Sequence, residues 1–66
     1  MKYEVSRDVK DEWRWALLAD NHKIVAVAGE GYKNKADCLH AIGLVQESHD
    51  APVFIQPHPA QMENGE

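Results

Sequence analysis

Trp13 to Tyr32, WRWALLADNHKIVAVAGEGY, is the stretch that decides the fold. Residues 12–19, EWRWALLA, put Trp13, Trp15, Leu17 and Ala19 on one face of an extended strand and Arg14, Ala16 and Leu18 on the other. Residues 23–29, KIVAVAG, read as the returning strand. Between them Asp20-Asn21-His22-Lys23 reads as a tight reversal with a two-residue loop, Asn21-His22. Asn tolerates the left-handed conformation that a type I′ turn demands, and His is also enriched at positive φ. That loop length fixes the pairing: Ala19 opposite Ile24, Leu17 opposite Ala26 and Trp15 opposite Ala28 on one face. The other face pairs Leu18 with Val25, Ala16 with Val27 and Arg14 with Gly29. The small Ala28 across from Trp15 makes room for an indole. Both faces are apolar, and one helix cannot cover both, so something else is expected to shield the second, at least in part.

Outward from this hairpin, residues 2–7, KYEVSR, alternate Tyr3 and Val5 against Lys2, Glu4 and Ser6, a period of two that predicts a half-buried first strand near an edge. Asp8 to Asp11 is polar and reads as a turn. After the connector Glu30-Gly31-Tyr32-Lys33, Asn34 is placed to cap a helix, with Asp37 three residues on favouring the helix dipole in the manner of a capping box. The helix is predicted over 35–48, with Cys38, Ala41, Ile42 and Val45 as its buried stripe and Leu39 extending it. Gly43 costs about 1 kcal/mol relative to Ala in a helix interior, explained either by a close backbone approach or by tolerance on the exposed side. Pro52 ends the helical region. Val53-Phe54-Ile55, bounded by Pro52 and Pro57, reads as a last strand, and Pro57 to Glu66 as a frayed or disordered tail. The expected class is α+β in the order β-β-β-α-β, one domain over 1–56.

Sixty-six residues allow one domain. A chain this short buries only about 60% of the surface its unfolded form exposes, and chains below roughly 70–80 residues usually need a disulfide, a metal or a partner subunit. The single cysteine, Cys38, excludes an intrachain disulfide and fits a reducing, cytoplasmic setting. No apolar run approaches the roughly 20 residues of a membrane span, and none near the N-terminus has the form of a secretory signal. The net charge is −4, with all seven Lys and Arg residues between Lys2 and Lys35 and only acids beyond. A nucleic-acid binder would carry a surplus of basic residues on one face, and none is evident, so no nucleic acid is expected as a partner.

The run Arg14-Trp15-x-Leu17, followed by Asn21, Ile24, Ala26, Gly31-Tyr32 and Lys35 ahead of a short helix, resembles the YegP-like family, small proteins described as a domain of unknown function. The resemblance covers Tyr3 to Phe54. Two positions depart from the family pattern: His22 stands where Gly commonly follows the turn Asn, and Ala28 where a Ser is usual. The resemblance implies a β3-α-β unit that works in pairs, in tandem or as two subunits, building one continuous sheet and exchanging C-terminal strands. One unit per chain then implies a strand-swapped homodimer with Val53, Phe54 and Ile55 at its interface. It implies fold and assembly but no activity.

The candidate sites are sparse. His22, His40, His49 and His58 are scattered, whereas a metal site needs converging ligands, so they read as surface or capping groups, and neither metal nor cofactor is expected. Cys38 lies near the helix start, but His40 two residues on faces another direction, and the apolar stripe marks Cys38 as core. Trp13, Arg14 and Trp15 interleave aromatic and basic groups, yet alternation puts Arg14 on the face opposite the indoles; Trp15 is assigned to the core and Trp13 to its partly exposed rim. Tyr32, Lys33 and Lys35, with Arg14 as an outlying member, are the remaining candidates for holding a small anion at the helix start. Glu30, Asp37 and Asp20 form no convincing acid/base pair. The leading expectation is a non-enzymatic homodimer acting as an interaction or accessory module, with an unidentified protein as a further partner. The alternative is a small-anion or metabolite binder, and an enzyme using Cys38 and a histidine ranks third.

Overall fold

A computed structural model describes residues 1–58. The chain forms β1 (Lys2–Arg7), β2 (Trp13–Leu18), β3 (Ile24–Val27) and α1 (Lys35–Glu47), followed by a 3₁₀ turn, Ser48–Asp50. The strands make one antiparallel sheet with β2 in the centre. The central strand carries both tryptophans, so both neighbours pack against indole.

The two corners of the sheet are built alike. In the first, the Asp8 N–H donates to the Glu12 carbonyl and the Asp11 N–H to the Asp8 carbonyl, each at 2.9 Å. In the second, the Ala19 N–H donates to the Lys23 carbonyl and the His22 N–H to the Ala19 carbonyl, again at 2.9 Å. Each loop has three residues and closes on a left-handed one, Asp11 at φ 64° and His22 at φ 68°. This is the next most common hairpin geometry after the two-residue turn.

The expected two-residue turn at Asn21-His22 is therefore corrected to a three-residue loop, 20–22. Near it the pairing differs from expectation, since Leu18 lies opposite Ile24 rather than Val25. The register then shifts between Leu17 and Leu18, which returns Leu17 to Ala26 and Ala16 to Val27 as the alternation requires. A bulge at Val25 absorbs the extra loop residue, and the Ala28 N–H donates to the Trp15 carbonyl at 2.9 Å. Strand β3 stops at Val27, so the expected pairing of Arg14 with Gly29 does not form. Residues 29–31 leave the ladder, and the chain rejoins it at Tyr32, which exchanges two backbone bonds with Trp13, at 2.6 and 2.8 Å. Gly31 is needed there because a Cβ would fall 2.8 Å from the Glu12 Cβ.

Helix α1 lies on the Trp15 face. Trp15, Ala28, Cys38 and Ile42 form the buried cluster, with Tyr3, Val5, Trp13, Leu17, Ala26, Tyr32 and Val45 around it. The Tyr3 ring meets the Trp15 ring edge-on, with centroids 5.8 Å apart. Leu39, expected to extend the stripe, is 48% exposed, because one step along a helix turns a residue about 100° away from Cys38. At Gly43 an added Cβ would meet nothing within 4 Å, which favours simple tolerance over close approach. Asn34 caps the helix by its backbone carbonyl, which accepts from the Asp37 and Cys38 N–H groups. Its side-chain amide turns to the Asp37 carboxylate at 3.3 Å instead of to the backbone.

Two apolar surfaces stay open. On β3, Ile24, Val25 and Val27 are 56–65% exposed, so the second sheet face is uncovered there. Val53, Phe54 and Ile55, expected as a last strand, belong to no strand in the single chain and are 78–92% exposed. A strand persists only where a neighbour supplies its hydrogen bonds, and this segment pairs with no strand among the described residues. Of the expected tail, only Pro57 and His58 lie within the described residues.

A left-handed conformation costs a residue with a Cβ about 1–2 kcal/mol, and Gly escapes that cost. Replacing His22 by Gly should therefore raise stability by about 1 kcal/mol, read as a higher urea midpoint at unchanged slope.

Candidate functional site

Three elements converge at the helix start. Pairing of Tyr32 with Trp13 fixes the connector against the beginning of β2, and Arg7, the last residue of β1, lies directly opposite Trp13. The Arg7 guanidinium carbon stands 4.9 Å from the centre of the Trp13 ring, and the Lys35 ammonium stands 5.6 Å from it. Trp13 is half-buried, and Arg7 and Lys35 are exposed. Each cation is attracted by the ring quadrupole, worth about 0.5–1 kcal/mol at an exposed site. Arg7 also pairs with the Asp11 carboxylate at 3.3 Å. Lys35 occupies the first helical turn, where the dipole disfavours a cation. The ring offsets part of that cost.

Of the residues singled out in the sequence, Tyr32 and Lys35 fall into this cluster, and Lys33 sits exposed on the connector between them. Arg14 does not belong to it. Its Nε donates to the Asp8 carboxylate at 2.9 Å, and its guanidinium reaches the Ala28 carbonyl at 3.5 Å, so it ties the first corner to the end of β3. Arg7, not among the sequence candidates, joins Lys35 at the Trp13 ring. The signal that could have found it is the β1–β2 register, which follows once the 9–11 loop is read as three residues.

Asp8 organises the first corner. One carboxylate oxygen accepts from the Lys10 N–H at 2.8 Å and the Glu12 N–H at 3.1 Å, and the other from Arg14. The Glu12 N–H above all, and then the Arg14 guanidinium, hold this carboxyl below the usual carboxylate range, against a smaller opposing effect of burial.

The thiol of Cys38 is fully buried, and burial pushes its pKa up. A nucleophilic cysteine needs the reverse, a depressed pKa and access. Among the described residues no group of three or more His, Cys, Asp and Glu side chains could hold a metal ion, and no helix is long and apolar enough to cross a membrane. The Trp15 indole N–H is buried with no hydrogen-bond partner among the described residues. An orphaned buried donor costs about 1–3 kcal/mol, which the packing of the ring has to offset.

A family profile described as "Domain of unknown function (DUF1508)" matches residues 8–54. A UPF0339 protein of Neisseria meningitidis serogroup B is 46% identical over 48 residues, spanning 73% of this chain and 84% of that protein. A UPF0339 protein of Treponema denticola is 38% identical over 47 residues, spanning 71% of this chain and 79% of its own length. The solution NMR structure of a protein from Haloferax volcanii superposes with a TM-score of 0.76 at 34% identity, covering 85% of this chain and 93% of that one. The profile match takes in both corners, Trp13, Tyr32, Lys35 and the helix, and begins one residue after Arg7.

A carboxyl whose folded pKa is depressed adds stability that is present above its unfolded value, about 3.9, and lost as pH falls through the folded value. Acid titration of the fold should therefore show a loss of stability beginning near pH 4 and continuing below it. Asp8→Asn should be less stable at neutral pH and show a flatter acid limb, read by urea melts at stepped pH.

Proposed function

The chain belongs to the DUF1508 family, which is the YegP-like family that its motif resembles, and we propose that it acts as a small non-enzymatic homodimer, an interaction or accessory module of the cytoplasm. One observation carries this reading. Val53-Phe54-Ile55 is an apolar run held away from its own core beyond Pro52, and among the described residues the buried hydrophobics are Trp15, Leu18, Ala28, Cys38 and Ile42. A core of that size leaves a 66-residue chain marginal, and a second copy is the usual remedy where no disulfide is available. Exchange of the run between two copies would give it the backbone partners it lacks and remove a hazard for uncontrolled aggregation. The buried, unactivated thiol of Cys38 supports the non-enzymatic part of the reading and accords with a reducing compartment.

A second reading is favoured by the cluster at the helix start. Arg7 and Lys35 converge on Trp13, with Tyr32 beside them and Lys33 on the connector, which suits a small anion bridging the two cations. In this reading the site is Arg7, Tyr32, Lys33 and Lys35, and Arg14 is left out.

Light scattering over a dilution series tests the first reading. Twice the chain mass is expected to persist into the low micromolar range, and a chain ending at Ser48 should lose both the dimer and most of its stability. A truncated chain that stays folded, or a full chain that is monomeric throughout, sinks it.

For the second, titration with inorganic phosphate should move the Trp13 indole N–H resonance and leave that of Trp15 in place. Lys35→Ala and Arg7→Ala should each weaken the response at least tenfold. An unmoved Trp13 signal at tens of millimolar phosphate removes the anion site.

A further inference from the structure

We propose that the Phe54–Ile55 bond is the site at which an unpaired chain is cut by an endopeptidase with an aromatic specificity pocket, and that pairing of two copies closes it. The shielding rests on the homodimer reading above, whereas the site stands on the single chain. An endopeptidase draws its substrate into the cleft as an extended strand, so the bond has to lie in water and outside any ladder. The segment meets both conditions. The Ala51 N–H closes the 3₁₀ turn on the Ser48 carbonyl at 2.8 Å, and Ala51 is extended, at φ −62° and ψ 133°, as the following proline favours. Beyond it Val53, Phe54 and Ile55 are 78–92% exposed and pair with no strand among the described residues.

The chemistry of the run narrows the cut to one bond. Ala51–Pro52 and Gln56–Pro57 carry a proline ring on the leaving nitrogen, with no N–H and a fixed φ, which a protease cleft rejects. Between the two prolines only Phe54 offers an aromatic ring to an apolar slot of the kind that sets specificity in chymotrypsin. The other four aromatic residues are held by the fold. Tyr3 lies in β1, Trp13 and Trp15 in β2, and Tyr32 is tied to Trp13 by two backbone bonds. Each is buried or half-buried, and its peptide bonds open only when the sheet does. Leu39 and Leu44 are exposed, but on a helix that would have to unwind to enter a cleft.

The step is a hydrolysis. Water adds across the amide and the C–N bond breaks; the hydroxyl goes to the Phe54 carbonyl carbon and the proton to the Ile55 nitrogen. No oxidant or reductant is needed. The piece ending at Phe54 keeps the sheet and the helix but loses Ile55, and with it part of the run that pairing uses. A chain cut once is barred from pairing, so cleavage competes with assembly for each new copy. Single copies are removed and paired ones persist.

The test treats the full chain with chymotrypsin over a dilution series, identifies the first cut by mass spectrometry and reads the mass of the uncut samples by light scattering. The first cut is expected between Phe54 and Ile55, and about tenfold faster in monomeric samples than in dimeric ones, because cleavage follows the population of the open form. Phe54→Val keeps the run apolar and strand-prone, and it should slow that cut about tenfold with the circular dichroism unchanged. A first cut within residues 1–50, or Phe54→Val cut at the same bond at the original rate, overturns the site whatever the mass. An equal rate at Phe54–Ile55 in samples whose mass falls from dimer to monomer overturns the shielding and leaves the dimer standing. A monomeric mass at every dilution removes the homodimer reading and the shielding with it, while a first cut at Phe54–Ile55 there still supports the site.

Discussion

One helix can dry one face of one sheet, and in this chain everything turns on how Trp15 meets α1. The indole lies between Ala28 on the neighbouring strand and Cys38 and Ile42 on the helix, with Tyr3 against its edge. The small side chains of Ala28 and Cys38 leave room for a ring of that size between sheet and helix. The same contact fixes the strand register, because moving β3 by one residue would turn Ala28 away and drive Val27 into the indole. Its weakness is polar, since the Trp15 N–H finds no partner among the described residues. The ring therefore serves by its area and shape alone.

The remaining polar interactions guard the ends of the sheet. Asp8 and Arg14 lock the first corner to the last residues of the third strand, on the face the helix does not touch. Arg7, Trp13 and Lys35 join the end of β1, the start of β2 and the start of the helix on the other face. These two clusters lie at the same end of the sheet, one above it and one below. At the second corner the Met1 amino group pairs with Asp20 and the Lys23 N–H donates to the Asn21 side chain, and at the helix C-terminus the Ser48 hydroxyl donates to the Val45 carbonyl.

How much of this could be read in the sequence depends on what each residue's partner was. Alternation in 13–18 and the stripe of Cys38, Ala41, Ile42 and Val45 are local patterns, and they place Trp15, Cys38 and Ile42 in the core, with Ala41 half-buried beside it. The ladder of Leu17 with Ala26 and Ala16 with Val27 followed from the same pattern. The turn did not, because a three-residue loop with a bulge and a two-residue loop without one give the same pairing beyond the bulge. Only the left-handed His22, which both geometries accept, was visible. Asp11 gave a weaker hint of the same conformation and passed as an ordinary loop residue. Arg14 lies apart from Tyr32 and Lys35 because its guanidinium pairs with Asp8, six positions earlier, a partner that spacing alone did not reveal. The last strand had the right composition, but a strand is a relation between two chain segments, and composition describes only one.

The hairpin topology has a kinetic side. Strand order in space equals strand order along the chain, with no crossover before the helix, so each new element closes on the one just made. Loops of three residues close cheaply and fast, and contacts of this local kind belong to domains that fold in microseconds to milliseconds. Docking of α1 on β2 is the longest closure the single chain has to make. Folding of the single chain leaves Ile24, Val25 and Val27 of β3 in water, so the edge that invites unwanted strand pairing outlasts the folding step itself.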